Sequence, residues 1–213
     1  MKLFLSILIS IILIGNIKAD EDKYVNAMKK NLEKLDSLSG LNSFLDAANN
    51  FERIALAEKD KWLPYYYGSY LYVIASYIDT IKEKKDSYLD KADQMITIAD
   101  SLHPQESEIY TLKGMSAQAR LSIDPMNRWQ KYGNEANSSF QMAMDLDTLN
   151  PRPEYLLGMG IFYTPAQFGG GPAAAKPYFE SSIKKYDAFK PANDLMPNWG
   201  RNQVEEMLKR IGG

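Results

Sequence analysis

Few residues in this chain are equipped for bond-making chemistry, and their settings argue against it. His103 is the single histidine of 213 residues and stands beside Pro104 in a predicted turn. One imidazole in a turn forms neither a two-histidine metal set nor a dyad with a second histidine, and it reads as a surface residue. The chain has no cysteine, so thiolate metal sites are excluded. Gly169, Gly170 and Gly171 precede a predicted helix, where backbone N–H groups could face an anion. The loop lacks the Lys-Ser/Thr of a phosphate loop and follows no strand. The competing reading is a flexible connection that lets the backbone approach Trp199 or Phe168. Asp145-x-Asp147 lacks the glycine and distal glutamate of a calcium loop and reads as a solvated helix end. The expectation is no catalytic residue, no cofactor and no metal.

The aromatic residues carry more information. Trp62, Tyr65, Tyr66, Tyr67, Tyr70 and Tyr72 fall within one predicted helix. Such side chains suit recognition because they offer large contact area with few rotatable bonds. They suit a core equally well, with the hydroxyl at its rim. Both readings stay open at this point.

The elements that would position these residues are helical. Val25, Met28, Leu32 and Leu35 recur at three- and four-residue steps, as do Leu41, Phe44, Leu45, Ala48, Phe51 and Ile54. Val204, Met207, Leu208 and Ile211 repeat the pattern near the end of the chain. No segment alternates with a period of two, so the expected fold is all-α. Breakers at Ser39-Gly40, Pro104, Asp124-Pro125, Pro151 with Pro153, and Pro165 to Pro172 mark helix ends. Pro177 is tolerable only in the first turn of its helix. Lys82, Lys84 and Lys85 read as a solvated helix end where positive charge suits the helix dipole.

An internal repeat runs through this pattern. A small-large-small motif occurs at Ala47-Phe51-Ile54, Ala92-Ile96-Ala99, Ala136-Phe140-Ala143 and Ala175-Phe179-Ser182. Gly68, Gly114 and Gly158 lie 21, 22 and 22 residues after the preceding motif alanine. Two antiparallel helices approach closely only where small residues sit at the crossing, and a large residue then fills the space beside it.

This pattern resembles the tetratricopeptide repeat. Tyr110-x-x-x-Gly114 and Glu154-x-x-Leu157-Gly158 are similar to its first helix, and Ala92-x-x-x-Ile96-x-x-Ala99 through Pro104 to its second. The resemblance implies a short α-solenoid of tandem antiparallel helix pairs, with capping helices near Tyr24–Ser37 and Arg201–Ile211. The motif spacing exceeds the family's length of about 34 residues. Either the helices or the loops are longer, and Asp124 to Lys131 resemble one inserted loop. The C-terminal third, with Pro165-x-x-Phe168-Gly169-Gly170-Gly171, Ala175-x-x-x-Phe179 and Pro197-Asn198-Trp199-Gly200, resembles the periplasmic T-component family associated with TRAP transporters. In the tetratricopeptide register the first helices line a concave groove. The groove residues implied are Trp62, Tyr65, Ser69 and Tyr72; Glu108, Thr111, Met115 and Gln118; and Arg152, Tyr155, Met159 and Phe162.

The ends and the charge bound the setting. Met1 and Lys2, the apolar run Leu3 to Ile14 and a small residue at Ala19 predict a secretory signal peptide over residues 1–19, with the helical domain over 20–213. The apolar run is too short to span a bilayer, so no stable membrane insertion is expected after cleavage. Beyond Ala19 the balance is 23 Lys and Arg against 27 Asp and Glu, with no basic stripe for nucleic acid. The reading is an exported, periplasmic or extracellular, non-catalytic scaffold that binds a protein or peptide partner. Tyr65, Tyr155 and Phe162 would hold the partner and Arg152 would pair with its acidic group. The alternative is a small-ligand-binding accessory protein of an envelope transport system.

Overall fold

The computed structural model of the chain describes residues 21–212, so the expected signal peptide lies outside the described residues. Among the described residues there is no strand. Helix α1 covers residues 21–32 and is followed by a 3-10 turn at Leu35–Ser37. Then come α2 (Leu41–Ala57), α3 (Trp62–Ile78), α4 (Lys82–Leu102), α5 (Ser107–Ile123), α6 (Pro125–Leu146), α7 (Arg152–Tyr163), α8 (Pro172–Ala188) and α9 (Arg201–Gly212). The main packing runs between chain neighbours: α2 on α3, α3 on α4, α5 on α6, α7 on α8, and α8 on α9. These are the tandem helix pairs that the motif spacing predicts.

A second set of contacts stacks the pairs. Helix α3 touches α5, and α5 touches α7. On the opposite side α4 and α6 diverge, leaving a groove of about 550 Å³ floored by Ser116, Ala117 and Arg120 of α5. Inner helices that touch and outer helices that part make the stack curve, with the α3–α5–α7 layer on its concave side. Arg120 braces the outer gap by pairing with Asp90 and Asp93 of α4, each at 2.7 Å.

The glycine register sets how closely each pair approaches. A Cβ on Gly114 would run into the Phe140 ring, and one on Gly158 would stand 2.8 Å from the Phe179 ring. A Cβ on Gly68 would strike Met95 in the same way. Phe140 and Phe179 are fully buried, and so are Ala92 and Ala175 one turn before the large residue of their motifs. The glycine is thus a socket for the large side chain of the partner helix, and the motif alanine lets the two backbones close on it.

Four local expectations are corrected. Asp124 to Lys131 are not an inserted loop: Pro125 begins α6, where its missing N–H costs nothing and its fixed φ suits a first turn. The extra repeat length resides in the helices, 21 residues in α4 and 22 in α6. Lys82, Lys84 and Lys85 open α4 rather than close a helix, so they stand at the positive end of its dipole and are held there by solvation. Pro177 sits in the second turn of α8, because Pro172 has already started the helix. Gly170 packs against the preceding helix end, where a Cβ would stand 2.7 Å from the Ile161 carbonyl, and not against Trp199 or Phe168.

The segment between α8 and α9, residues 189–200, crosses the concave side and is fastened to α3 and α7. Tyr67 donates to the Leu195 carbonyl at 2.8 Å, and Trp199 Nε1 donates to the Tyr66 hydroxyl at 2.9 Å. Trp199 stacks on Tyr70 with ring centroids 4.8 Å apart. Arg152 donates to the Pro197 carbonyl. Its other terminal nitrogen meets Glu108 Oε1 of α5 at 2.7 Å, and both side chains are buried. Asn150 and Tyr66 donate to the same Glu108 carboxylate, each at 2.9 Å. Burial pushes the Glu108 pKa up, while the Arg152 guanidinium and the Tyr66 hydroxyl pull it back. Burial also works against the Arg152 charge, but the Glu108 carboxylate outweighs it and holds that pKa above its usual value.

Two stability predictions follow from this packing. Gly114→Ala loses about 1–3 kcal/mol to overpacking against Phe140, whereas Gly133→Ala, in open space on α6, gains about 0.5–1 kcal/mol from helix propensity. Urea unfolding of both variants checks this, and equal effects would refute the socket. Arg152→Ala strands the Glu108 charge and costs about 3–5 kcal/mol, while the pair Arg152→Met with Glu108→Gln recovers much of that loss. Thermal unfolding of the single and double variants reads the difference; additive losses would show that the two side chains act independently.

Candidate functional site

The concave side is defined by three stripes. On α3, Tyr66, Tyr70, Ile74 and Tyr77 follow at steps of four, four and three, which places them on one helix face. On α5, Glu108, Thr111, Met115 and Gln118 do the same, and on α7, Tyr155, Met159 and Phe162. Glu108 touches Tyr66 on one side and Arg152 on the other, and Tyr155 of α7 lies near Tyr70 and Tyr77 of α3, so the faces adjoin one another along a strip termed the channel. Gln118 ties its floor to the α7 wall by donating to the Leu156 carbonyl at 2.8 Å.

Trp199 and Gly200 close one end of this channel. Trp199 lies on Tyr70 of α3, and a Cβ on Gly200 would stand 3.7 Å from Tyr155 of α7. Gly200 has φ of 109°, and a side chain there would also collide with the Tyr186 hydroxyl. Beyond Trp199 the same faces carry Ile74 and Tyr77 on α3 and Met159, Phe162 and Tyr163 on α7. Tyr77 is 43% exposed and Tyr163 is 64% exposed, so this end is open to solvent.

The tyrosines of the fold divide into two kinds. The hydroxyls of Tyr65, Tyr66, Tyr67, Tyr72 and Tyr186 each donate to a carbonyl or a carboxamide or carboxylate oxygen of the chain. Those of Tyr70, Tyr77, Tyr155 and Tyr163 have no hydrogen-bond partner among the described residues. Burial pushes the Tyr70 hydroxyl up to about 12. It pushes Tyr155 well above the phenol range, and the neighbouring phenols of Tyr70, Tyr186, Tyr77 and Tyr163 add to that rise. Burial alone does the same to Tyr77, although its ring is open to solvent. Tyr24, Tyr110, Tyr132 and Tyr178 also make no hydroxyl hydrogen bond among the described residues, but they lie elsewhere. Tyr70, Tyr77, Tyr155 and Tyr163 differ from them in lying close to one another, around Tyr155.

The groove residues expected from the register are found in two groups. Met115, Gln118, Tyr155, Met159 and Phe162 line the channel, with Met115 and Tyr155 at its base and the other three partly exposed. Trp62, Tyr65, Tyr72 and Arg152 do not join them. Trp62 stacks on His103 at 5.2 Å, at the start of α3 and away from the open end at Tyr77. Tyr65 turns to α2 and donates to the Ala55 carbonyl. Tyr72 lies between Asn49 and Glu52 of α2 and the Lys91 ammonium of α4. Arg152 is wholly buried, and the acidic group that it pairs with is the chain's own Glu108. Tyr70, Tyr77 and Tyr163 were missed by the register, although the step of Tyr70, Ile74 and Tyr77 along one helix face was available as a signal.

Elsewhere the described residues hold no group of three or more His, Cys, Asp or Glu side chains placed to bind a metal ion. A shallow depression of about 370 Å³ between α1 and α2 is lined by Lys23, Tyr24, Arg53 and Glu58, among others. It mixes Ala27, Ile54 and Ala57 with these charged side chains, and the outer groove is lined mainly by polar and charged ones. No described helix is long and apolar enough to cross a membrane.

No family model matches the chain, and no curated protein matches it either. Among solved structures, the HusA haemophore from Porphyromonas gingivalis is similar with a TM-score of 0.79 and 34% sequence identity. The match covers 88% of this chain and 92% of that one. Identity at this level over nearly the whole of both chains reflects a common family, and this chain belongs to the family of the HusA haemophore.

Proposed function

We propose that this chain is an exported carrier of a small, flat, apolar ligand of the haem class, bound in the channel between α3 and α7 above α5. The observation that carries the reading is the set of unpartnered hydroxyls of Tyr70, Tyr77, Tyr155 and Tyr163 around one apolar channel. Membership in the family of a haemophore supplies the ligand class.

The chemistry fits. A macrocycle needs flat, weakly polar walls, and Ile74, Tyr77, Met115, Met159 and Phe162 supply them. Ferric iron accepts a phenolate as axial ligand. Burial keeps these phenols protonated until a cation arrives, and a bound metal ion reverses that preference. Tyr77, Tyr155 and Tyr163 lie beyond the Trp199 plug and are the candidate ligands; Tyr70 is covered by Trp199. A peptide laid along the whole concave face would have to displace Leu195, Pro197 and Trp199, which are each held by a hydrogen bond. A compact ligand at the open end displaces nothing. The carrier role also implies a receiver in the envelope, which keeps a transport setting within the proposal.

Titrating ferric haem into the purified protein tests this by visible absorption. The parent should shift the Soret band and show a phenolate-to-iron charge-transfer band. Among Tyr77→Phe, Tyr155→Phe and Tyr163→Phe, at least one should lose that band and bind haem roughly tenfold to a hundredfold more weakly. If the parent binds no haem, the ligand class is wrong. If all three variants keep the band, iron ligation by these hydroxyls is wrong.

A further inference from the structure

We propose that Arg210 anchors a carboxylate of the ligand at the rim of the channel, and so fixes which way round the ligand enters. This rests on the haem-class reading above. The Arg210 guanidinium lies over the Phe162 ring, 5.0 Å from its centroid. Phe162 belongs to the α7 stripe of the channel and meets Tyr163 edge-on at 5.1 Å. Arg210 in turn lies in the last turn of α9, exposed to solvent.

Arg210, like Arg53, holds no carboxylate among the described residues, and it lies against a residue of the α7 stripe. Arg120, Arg128, Arg152 and Arg201 each hold at least one carboxylate of the chain. Arg210 holds a ring and no carboxylate among the described residues. A guanidinium held over an aromatic face with no carboxylate of its own leaves N–H groups free to meet a ligand. Those N–H groups form a fork that matches the two oxygens of a carboxylate. The channel thus offers an apolar wall next to a cation at its open end. A flat ligand with acid groups on one edge, as haem has in its propionates, is oriented by that pair: apolar edge toward the Trp199 plug, acid edge toward Arg210. Lys209, the neighbouring cation, makes no ring contact that would hold it in place.

The experiment compares ferric haem with its dimethyl ester, in which both acid groups are masked, on the parent protein and on Arg210→Gln. The parent should bind haem about tenfold more tightly than the ester, the size of one charge-assisted contact at a partly exposed site. Arg210→Gln should lose about that factor for haem and leave ester affinity unchanged. Arg210→Lys, which keeps the charge but not the fork, should fall between them. Equal loss for haem and ester would mean that Arg210 only packs on Phe162 and would overturn the proposal. So would unchanged haem affinity in Arg210→Gln. Failure of the parent to bind either compound would sink the haem-class reading itself, a result distinct from both.

Discussion

A single guanidinium, that of Arg152, connects the parts of this molecule that would otherwise be independent. Stacked helix pairs interact mainly with their neighbours, and nothing in such a stack forces distant elements together. Arg152 opens α7, reaches Glu108 at the start of α5, and through that carboxylate meets Tyr66 of α3. Its far side donates to Pro197. The Phe189 and Trp199 rings cover it, with centroids 4.7 and 5.4 Å from its central carbon. An isolated charge in this position would be untenable, and the geometry answers with one ion pair, a backbone acceptor and aromatic faces. The three inner helices are thereby set in register at one end.

That register decides the shape of the channel. Because residues 195–200 are clamped between α3 and α7, the concave side has a closed end and an open end instead of a continuous trough. The clamped segment is held by hydrogen bonds with Tyr66, Tyr67 and Arg152, which makes it part of the wall. The open half keeps apolar surface and phenol oxygens without internal partners. The outer face of the stack shows the opposite arrangement: its groove is bridged by Arg120 and the aspartates of α4, so charge is spent on holding helices together.

The sequence made the helix pairs legible because their packing depends on local arithmetic. Gly114 and Gly158 face the large motif residues Phe140 and Phe179, and Gly68 faces Met95 beside the motif residue Ile96. The small and large residues that this packing needs recur along the chain, and that recurrence is visible in the sequence. The same register puts Met115 and Gln118 on one face of α5 and Tyr155, Met159 and Phe162 on one face of α7. It failed for Tyr65 and Tyr72, because α3 is buried on nearly every side and aromatic residues there serve α2 and α4 as well as the channel. It failed for Arg152 because a charge at a groove position is the same in sequence whether it faces a ligand or the chain's own Glu108. The Trp199–Tyr66 contact spans 133 residues of chain and leaves no periodic trace. The Pro197-Asn198-Trp199-Gly200 motif was visible, but its destination was not.

The two kinds of tyrosine bear on function through a simple asymmetry. A phenylalanine would fill the space of Tyr70, Tyr77 or Tyr155 about equally well. In Tyr66, Tyr67 and Tyr186 the oxygen fastens α3 or the 189–200 segment. In Tyr70, Tyr77, Tyr155 and Tyr163 it makes no hydrogen bond among the described residues and stays within reach of solvent. Their oxygens are polar groups in search of a partner, gathered where the wall is otherwise apolar. An apolar channel alone would suit many greases, and scattered phenols alone would be ordinary surface. Together they select a ligand that is flat and apolar over most of its area and strongly electron-accepting at its centre, which is the chemistry of a ferric macrocycle.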